Sequence, residues 1–176
     1  MSLKELTAAK HREAEKAPFM QAVFNGTMPL EVWADYTFNK YCFYIALETR
    51  AAVEFDMFNG MLGIVRSFAL WQDSCKMSNV QNPLRKSTEE YIDYINTLGE
   101  RQLLAHIYVW HMGDLYGGQM IKKLLPEASH LNLEFDDPEY LRSALRAKLS
   151  DDLADEANIA FDWAIRIMDE YTEQLS

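Results

Sequence analysis

Apolar residues recur at spacings of three and four along most of the chain, which is the pattern of helices with one buried face. The longest such run, LEVWADYTFNKYCFYIALETRAAVEF, follows Pro29 and predicts one long, aromatic-rich helix in the core. A second long run extends from about Glu100 to Leu125 and ends before Pro126. No alternation of period two is long enough to predict a strand. The pattern therefore favours an all-α fold.

Serine and glutamate three residues apart, the spacing of a capping box, predict two helix starts. They are Ser2 with Glu5, for a helix to about Ala17, and Ser87 with Glu90, for a helix closed by Gly99. Further helices are predicted over PFMQAVF, over MLGIVRSFALWQ, after Asp137-Pro138 and from about Ser150 to Leu175, with an irregular stretch at SCKMSNVQNPLRK. Without a linker or repeat, residues 1–176 are predicted to form a single-domain helical bundle.

Composition narrows the class of protein. The chain has 176 residues, of which 49% are apolar, enough to bury one core. Its formal net charge of −10 argues against a nucleic-acid ligand, because phosphate binding needs a basic surface. Cys42 and Cys75 lie outside any CxxC motif and indicate reduced thiols. With no apolar run of membrane-span length and no signal-peptide pattern, we expect a soluble cytoplasmic protein without a membrane anchor.

The segment HMGDLYGGQ, residues 111–119, places three glycines and an aspartate in the middle of a strongly helical run. Each interior glycine costs about 1 kcal/mol of helix propensity relative to alanine. Gly113 and Gly117 fall on one face, and Asp114 and Gly118 form a parallel row beside them. Two explanations remain open: close helix packing or a kink, and a flat ligand lying on bare backbone.

Two other segments carry candidate ligands. Lys4, His11 and Glu15 share one face of the first helix, and a neutral imidazole oriented by a carboxylate is a common metal ligand. Arg142 and Arg146 are four residues apart, a spacing that suits two carboxylates of a ligand. A solvated histidine and a solvated basic face are the alternative interpretations.

Together these segments resemble the haem oxygenase family, in its soluble, biliverdin-producing form found in bacteria, algae and phages. The distal-helix motif of that family, Gly-Asp-Leu-x-Gly-Gly-Gln, matches residues 113–119. Its proximal motif matches His11, Ala14, Glu15, Phe19 and Met20. The resemblance covers nearly the whole chain and implies a bundle with haem between a proximal N-terminal helix and a glycine-containing distal helix.

The resemblance implies a role for each matched residue. His11 would bind the haem iron, with Glu15 near its imidazole. Gly113 and Gly117 would let the distal helix approach the opposite face of haem, and Asp114 would hold water that governs proton delivery. The other residues implied to bind haem are Gly118 in the distal strip, Lys4, Tyr108, Arg142 and Arg146 at the propionates, and Phe161 near the distal side.

The implied reaction uses haem as both cofactor and substrate. With O₂ and electrons from an external donor, the ring opens at a meso carbon and gives biliverdin, CO and ferrous iron; the alpha isomer is implied by resemblance only. The implied partners are a ferredoxin or other reductase and a downstream bilin reductase. A basic patch could dock an acidic donor, with solvated charges as the alternative: Lys10, Arg12, Lys16, Lys122 and Lys123.

Some positions depart from the family pattern. Ala8 stands where lysine is common, and Tyr116 stands where a small residue is usual. Trp110-His111 replaces an Arg-Tyr pair, which removes a positive charge from the distal network. Haem binding is still expected, but the distal arrangement should differ from that of typical relatives.

Three alternatives stay open beside this interpretation. His106 lies one heptad before Gly113 and could compete with His11 as the metal ligand. A di-iron oxidase would need paired Glu-x-x-His motifs, of which the sequence has one, at residues 127–130. A haem-binding or haem-storage protein without turnover would need His11 and the basic anchors but not Asp114.

Overall fold

Eight α-helices account for most of residues 1–79 and 82–175, which the computed structural model describes. They are α1 (Leu3–Glu15), α2 (Pro18–Phe24), α3 (Leu30–Phe55), α4 (Ser67–Met77), α5 (Lys86–Ile95), α6 (Glu100–Leu124), α7 (Pro138–Arg146) and α8 (Ala154–Asp169). No strand occurs among these residues, so the predicted all-α class is confirmed. None of the described helices is both long and apolar enough to cross a membrane.

Two helix starts follow the local signals in the sequence. At α1 the Ser2 hydroxyl accepts a hydrogen bond from the backbone N–H of Glu5, whose carboxylate accepts one from the N–H of Ser2. At α7 Asp137 accepts from the N–H of Tyr140, and Pro138 occupies the first helical position. Both predicted starts are therefore confirmed, because each cap needs only neighbouring residues.

The predicted start of α4 is wrong. The helix begins at Ser67 and not at residue 61, because the buried carboxylate of Glu48 accepts the backbone N–H groups of Arg66 and Ser67. Residues 74–77, predicted to be irregular, form the end of this helix. Val80 and Gln81 of the same predicted stretch lie outside the described residues.

The predicted capping box at Ser87 and Glu90 does not form. α5 begins at Lys86 with Arg85 as its N-cap, and the backbone N–H of Ser87 donates to the carboxylate of Glu170 instead. A partner distant in the sequence has therefore replaced the local one.

Two helix ends were also predicted incorrectly. Gly99 does not close α5, which ends at Ile95; it is the N-cap of α6, and its N–H donates to the side chain of Gln102. The helix predicted from Ser150 to Leu175 is shorter, because 3₁₀ turns flank α8 on both sides.

α3 is the central helix, and α4, α5 and α6 pack against it, while α8 packs against α1 and α6. Phe43, Tyr44 and Leu47 on α3 are completely buried. The ring centre of Phe43 lies 4.6 Å from that of Trp110 on α6 and 5.3 Å from that of Tyr91 on α5. These rings hold three helices in contact at the middle of the core.

A buried hydrogen-bonded pair links α3 to α6 and to the start of α4. Nε2 of His111 lies 2.8 Å from Oε2 of Glu48, and both side chains are buried. Burial by itself would raise the pKa of Glu48, but the hydrogen bonds from His111 and from the N–H groups of Arg66 and Ser67 outweigh it and lower this pKa. The charged carboxylate is therefore the form that supports the fold.

This pair predicts a pH-dependent stability. A lowered pKa means that Glu48 stabilises the fold above its ordinary pKa of 4.5 and that the contribution is lost as the pH falls through the lower folded-state value. We expect Glu48→Gln to lower the free energy of unfolding by about 3 kcal/mol near neutral pH, because it leaves a buried pair broken. Urea denaturation across the acid range should show this deficit shrinking below pH 4.5.

Glu54→Gln is the matched control, since Glu54 is exposed on the same helix and pairs with Arg50 at the surface. It should change the stability far less. Equal deficits for the two variants, or a Glu48→Gln deficit that does not depend on pH, would contradict the prediction.

Candidate functional site

Gly113 and Gly117 on α6 face open space. A Cβ atom added to either would meet nothing within 4 Å, and both residues are exposed. Gly118 differs, because its Cβ would lie 3.1 Å from Cδ2 and 3.3 Å from Cβ of Leu133. Close packing therefore explains Gly118, whereas no described residue requires glycine at positions 113 and 117. Packing within the described residues therefore does not explain the choice of glycine at those two positions.

Asp114 lies beside this open strip, which we define as Gly113 and Gly117, and its side chain is turned into the protein. Its Oδ1 accepts a hydrogen bond from Nζ of Lys40, and its Oδ2 accepts one from the hydroxyl of Tyr44, both at 2.6 Å. Burial, and then the charge of Asp114, raise the pKa of Tyr44 well above its ordinary range, so this hydroxyl remains a donor. α3 thus holds a carboxylate at the edge of the strip.

Sequence reasoning missed Lys40 and Tyr44. Their spacing of four residues places them on one face of α3, which is the single signal that links them in the sequence. That spacing does not reveal which residue of another helix this face meets.

His11 is the one histidine with an exposed ring in the described part of the chain, with 59% of its side chain exposed. His106 is completely buried, and both of its ring nitrogens are engaged. Its Nδ1 lies 2.5 Å from the hydroxyl of Tyr91, and its Nε2 lies 2.9 Å from Oε1 of Glu156. The structure therefore gives no support to His106 as a metal ligand.

The surroundings of His11 come from α1 and α8. Its Nε2 lies 3.6 Å from Oε1 of Glu15, and Lys4 is exposed on the first turn of the same helix. The ring centre of Phe161 on α8 lies 5.7 Å from that of His11. Phe161 therefore lies beside the proposed proximal residue, whereas the resemblance implied a position near the distal side.

Both predicted arginines are held against α6. Nη2 of Arg142 donates to the backbone carbonyl of Leu115 at 2.7 Å, and its guanidinium lies 4.6 Å from the ring centre of Tyr116. Arg146 donates to the hydroxyl of the same tyrosine. Tyr116, which departs from the small residue usual in the family, therefore positions both cations beside the strip. Tyr108 is half-buried further toward the start of α6.

α1 and α6 make little direct contact with each other. α8 packs against both of them, whereas the contact of α1 with α6 is at most marginal among the described residues. The exposed ring of His11 and the open strip are therefore both available to a ligand.

The di-iron alternative finds no ligand set within residues 1–79 and 82–175. No group of three or more histidine, cysteine, aspartate or glutamate side chains there could hold a metal ion. Glu127 is exposed, and Nε2 of His130 lies 2.7 Å from the backbone carbonyl of Leu125.

A family model described as "Heme oxygenase" matches residues 1–170. This chain belongs to the heme oxygenase family. "Heme oxygenase 1" of Gallus gallus is 29% identical over 143 residues, which cover 73% of this chain and 48% of that protein, so the chain spans about half the length of this relative. "Heme oxygenase" of Pyropia yezoensis is 24% identical over 96% of this chain and 83% of that protein.

A solved structure supports the same fold. The crystal structure of heme oxygenase-1 from the cyanobacterium Synechocystis in complex with heme superposes with a TM-score of 0.86. The match covers 98% of this chain and 91% of that one, at 23% sequence identity. The predicted fold of the haem oxygenase type is therefore confirmed.

The glycines should differ in their effect on stability. We expect Gly113→Ala and Gly117→Ala each to raise the free energy of unfolding by up to about 1 kcal/mol, because alanine favours helix and meets no neighbour. Gly118→Ala should give a smaller gain or a loss, because Leu133 must move away. Urea denaturation of the three variants without ligand tests this, and an equal gain at all three positions would contradict it.

Proposed function

We propose that residues 1–176 act as a single haem oxygenase domain, which opens haem at a meso carbon to give biliverdin, CO and ferrous iron. The observation that carries this proposal is the open strip. Two glycines weaken the middle of a long helix although no described residue packs against them, and a buried carboxylate lies beside them. A planar ligand would need such a bare surface.

The residues present fit haem. His11 would hold the iron from the side of α1, with Glu15 orienting its ring, and the strip would cover the opposite face. Cations suit the propionates, and those available are Lys4, Arg142 and Arg146, with the hydroxyl of Tyr108 as a further donor. When bound, haem supplies the iron that activates O₂ and the meso carbon that is oxidised.

The chain would contribute binding, orientation and proton transfer. Each carboxylate oxygen of Asp114 accepts one hydrogen bond from α3 and keeps a lone pair for water. Water held there would lie next to the strip and could pass a proton toward the distal face of the ligand. Tyr44 supports this role by donating to Asp114, since its raised pKa keeps the hydroxyl protonated.

The test is a visible spectrum of the protein with haemin, before and after ascorbate is added in air with catalase present. We expect a sharp Soret band that then decays while a broad long-wavelength bilin band rises. A Soret band that persists, with ascorbate and with a ferredoxin system, would indicate haem binding without turnover. The absence of any Soret shift would overturn the proposal.

His11→Ala should remove the wild-type Soret band, because the other histidines are buried. Glu13→Ala, at another exposed position of α1, is the control and should retain it.

Gly117→Ala should weaken haem binding about tenfold or more, because its methyl group would press on the ligand. If Gly117→Ala is more stable than the wild type without haem but binds haem equally tightly, the strip does not contact the ligand as proposed.

The electron donor is proposed to be a ferredoxin or other reductase that docks on the basic patch, and a bilin reductase would consume the product. Two of the patch cations have acidic neighbours: Lys10 lies 2.6 Å from Asp162, and Lys122 lies 3.6 Å from Glu134. The remaining members are exposed, namely Arg12, Lys16 and Lys123. These three carry most of the available positive charge.

Charge reversal tests the docking site. Lys122→Glu with Lys123→Glu should lower ferredoxin-driven turnover several-fold, most strongly at low ionic strength, because opposite charges guide association. Ascorbate-driven turnover should not change. Lys76→Glu, at an exposed position on α4, is the control and should leave both rates unchanged. A loss that is equal with both reductants would refute the docking role.

A further inference from the structure

α6 carries no positive charge one turn before Asp114. Trp110 stands there, where an arginine is common in the family, and its indole is committed elsewhere. Its Nε1 donates to the hydroxyl of Tyr91 at 3.0 Å, and its ring packs 4.6 Å from that of Phe43. The side chain at position 110 is therefore turned toward α3 and α5 and offers Asp114 no charge.

Lys40 supplies a charge at the same carboxylate from another helix. Its Nζ lies 2.6 Å from Oδ1 of Asp114 and 5.1 Å from the ring centre of Tyr44, and 11% of its side chain is exposed. A buried ammonium group is costly without a partner, so its presence in the core needs a reason. The pair forms between residues 74 positions apart and does not belong to a surface network.

The space around Lys40 suits a hydrated charge. An ammonium group has three donors, and Asp114 takes one of them. A cavity of about 50 Å³ beside Lys40 has room for water; most of its lining is apolar, and Thr37 and Asn132 are among its polar lining residues. Water in this cavity would accept hydrogen bonds from the donors that Asp114 leaves free.

We propose that Lys40 is a positioning residue for Asp114 and replaces, from α3, the positive charge that α6 lacks at position 110. The inference rests on the proposed haem oxygenase function. The salt bridge keeps the carboxylate at the edge of the open strip and balances its charge. A water molecule bound to the free lone pairs of the carboxylate is thereby held in one position. Without Lys40, Asp114 would keep the hydroxyl of Tyr44 as its donor. The cation left near it would be Arg66, which interacts with Asp114 by charge but donates its hydrogen bonds to backbone carbonyls.

The first measurement is ascorbate-driven turnover of the haem-loaded variants. Lys40→Met should lower it about 10- to 100-fold, as expected for the loss of a group that orients a functional residue. The dissociation constant for haem should stay within about threefold, because Lys40 lies behind Asp114 and not in the strip. Lys40→Arg, which keeps the charge, should retain most of the activity. Lys40→Gln keeps a donor without charge and replaces Lys40→Met if that variant does not fold.

The second measurement does not depend on turnover. The visible spectrum of ferric haem in the protein is recorded against pH, and the midpoint of its acid–alkaline transition is compared between variants. Lys40→Met leaves Asp114 without its counter-charge, so it should shift the midpoint upward by about 0.5–1 pH unit. Lys40→Arg should leave the midpoint at the wild-type value. A purely structural lysine would not move it.

A double-mutant cycle tests whether Lys40 acts through Asp114. Once Asp114→Asn has removed the carboxylate, adding Lys40→Met should lower turnover by no more than about twofold further. Lys86→Met is the matched control, since Lys86 is 85% exposed and pairs loosely with Glu90. It should leave turnover and the midpoint unchanged.

The outcomes separate the two proposals. Wild-type turnover and an unshifted midpoint in Lys40→Met, or losses that multiply in the double variant, would overturn the role of Lys40 and leave the haem oxygenase function intact. A wild-type protein that gives no Soret band with haemin would overturn the proposed function and the role of Lys40 with it. If the wild-type protein binds haem without turnover, the shift in the midpoint of the acid–alkaline transition alone tests the role of Lys40.

Discussion

Each buried charge on α3 needs a partner from another part of the chain, and the rest of the structure depends on this constraint. The pairs are Asp35 with Arg85 at the start of α5, Lys40 with Asp114 on α6, and Glu48 with His111 on α6. A buried charge without its partner is strongly destabilising, so α3 cannot rotate or slide against α6 without losing a pair. The interactions that set the helix positions therefore also set the geometry of the site.

α6 packs against the core with one face and leaves another face open. Trp110 and His111 face the core and α3, and Gly118 admits Leu133 at a distance where a methyl group would be crowded. Gly113 and Gly117 lie on the open side, where the helix gives up about 2 kcal/mol of propensity with no packing in return. A loss of helix propensity that no packing compensates is typical of functional sites. A functional site on this helix is consistent with membership of the haem oxygenase family.

Much of the fold could be predicted because its signals are local. α3 matches the predicted run, α6 ends one residue early, and the cap at Ser2 forms between neighbours. The prediction failed at Ser87, where Glu170, 83 residues away, takes the backbone N–H that a local cap would have used. In the candidate site, the motif residues were predicted by resemblance, whereas Lys40 belongs to no motif and was missed.

The sequence by itself determined the class of the fold and the main helices, and it predicted His11, Gly113 and Asp114 as candidate site residues. Periodicity, glycine placement and short motifs all depend on near neighbours, so they can be recognised without the tertiary structure. The tertiary structure decided which glycines are bare, which histidine is exposed and which cation meets Asp114. Lys40 and Tyr44 meet that carboxylate across 74 and 70 residues of chain, and such distances are set by helix packing, which no local pattern records.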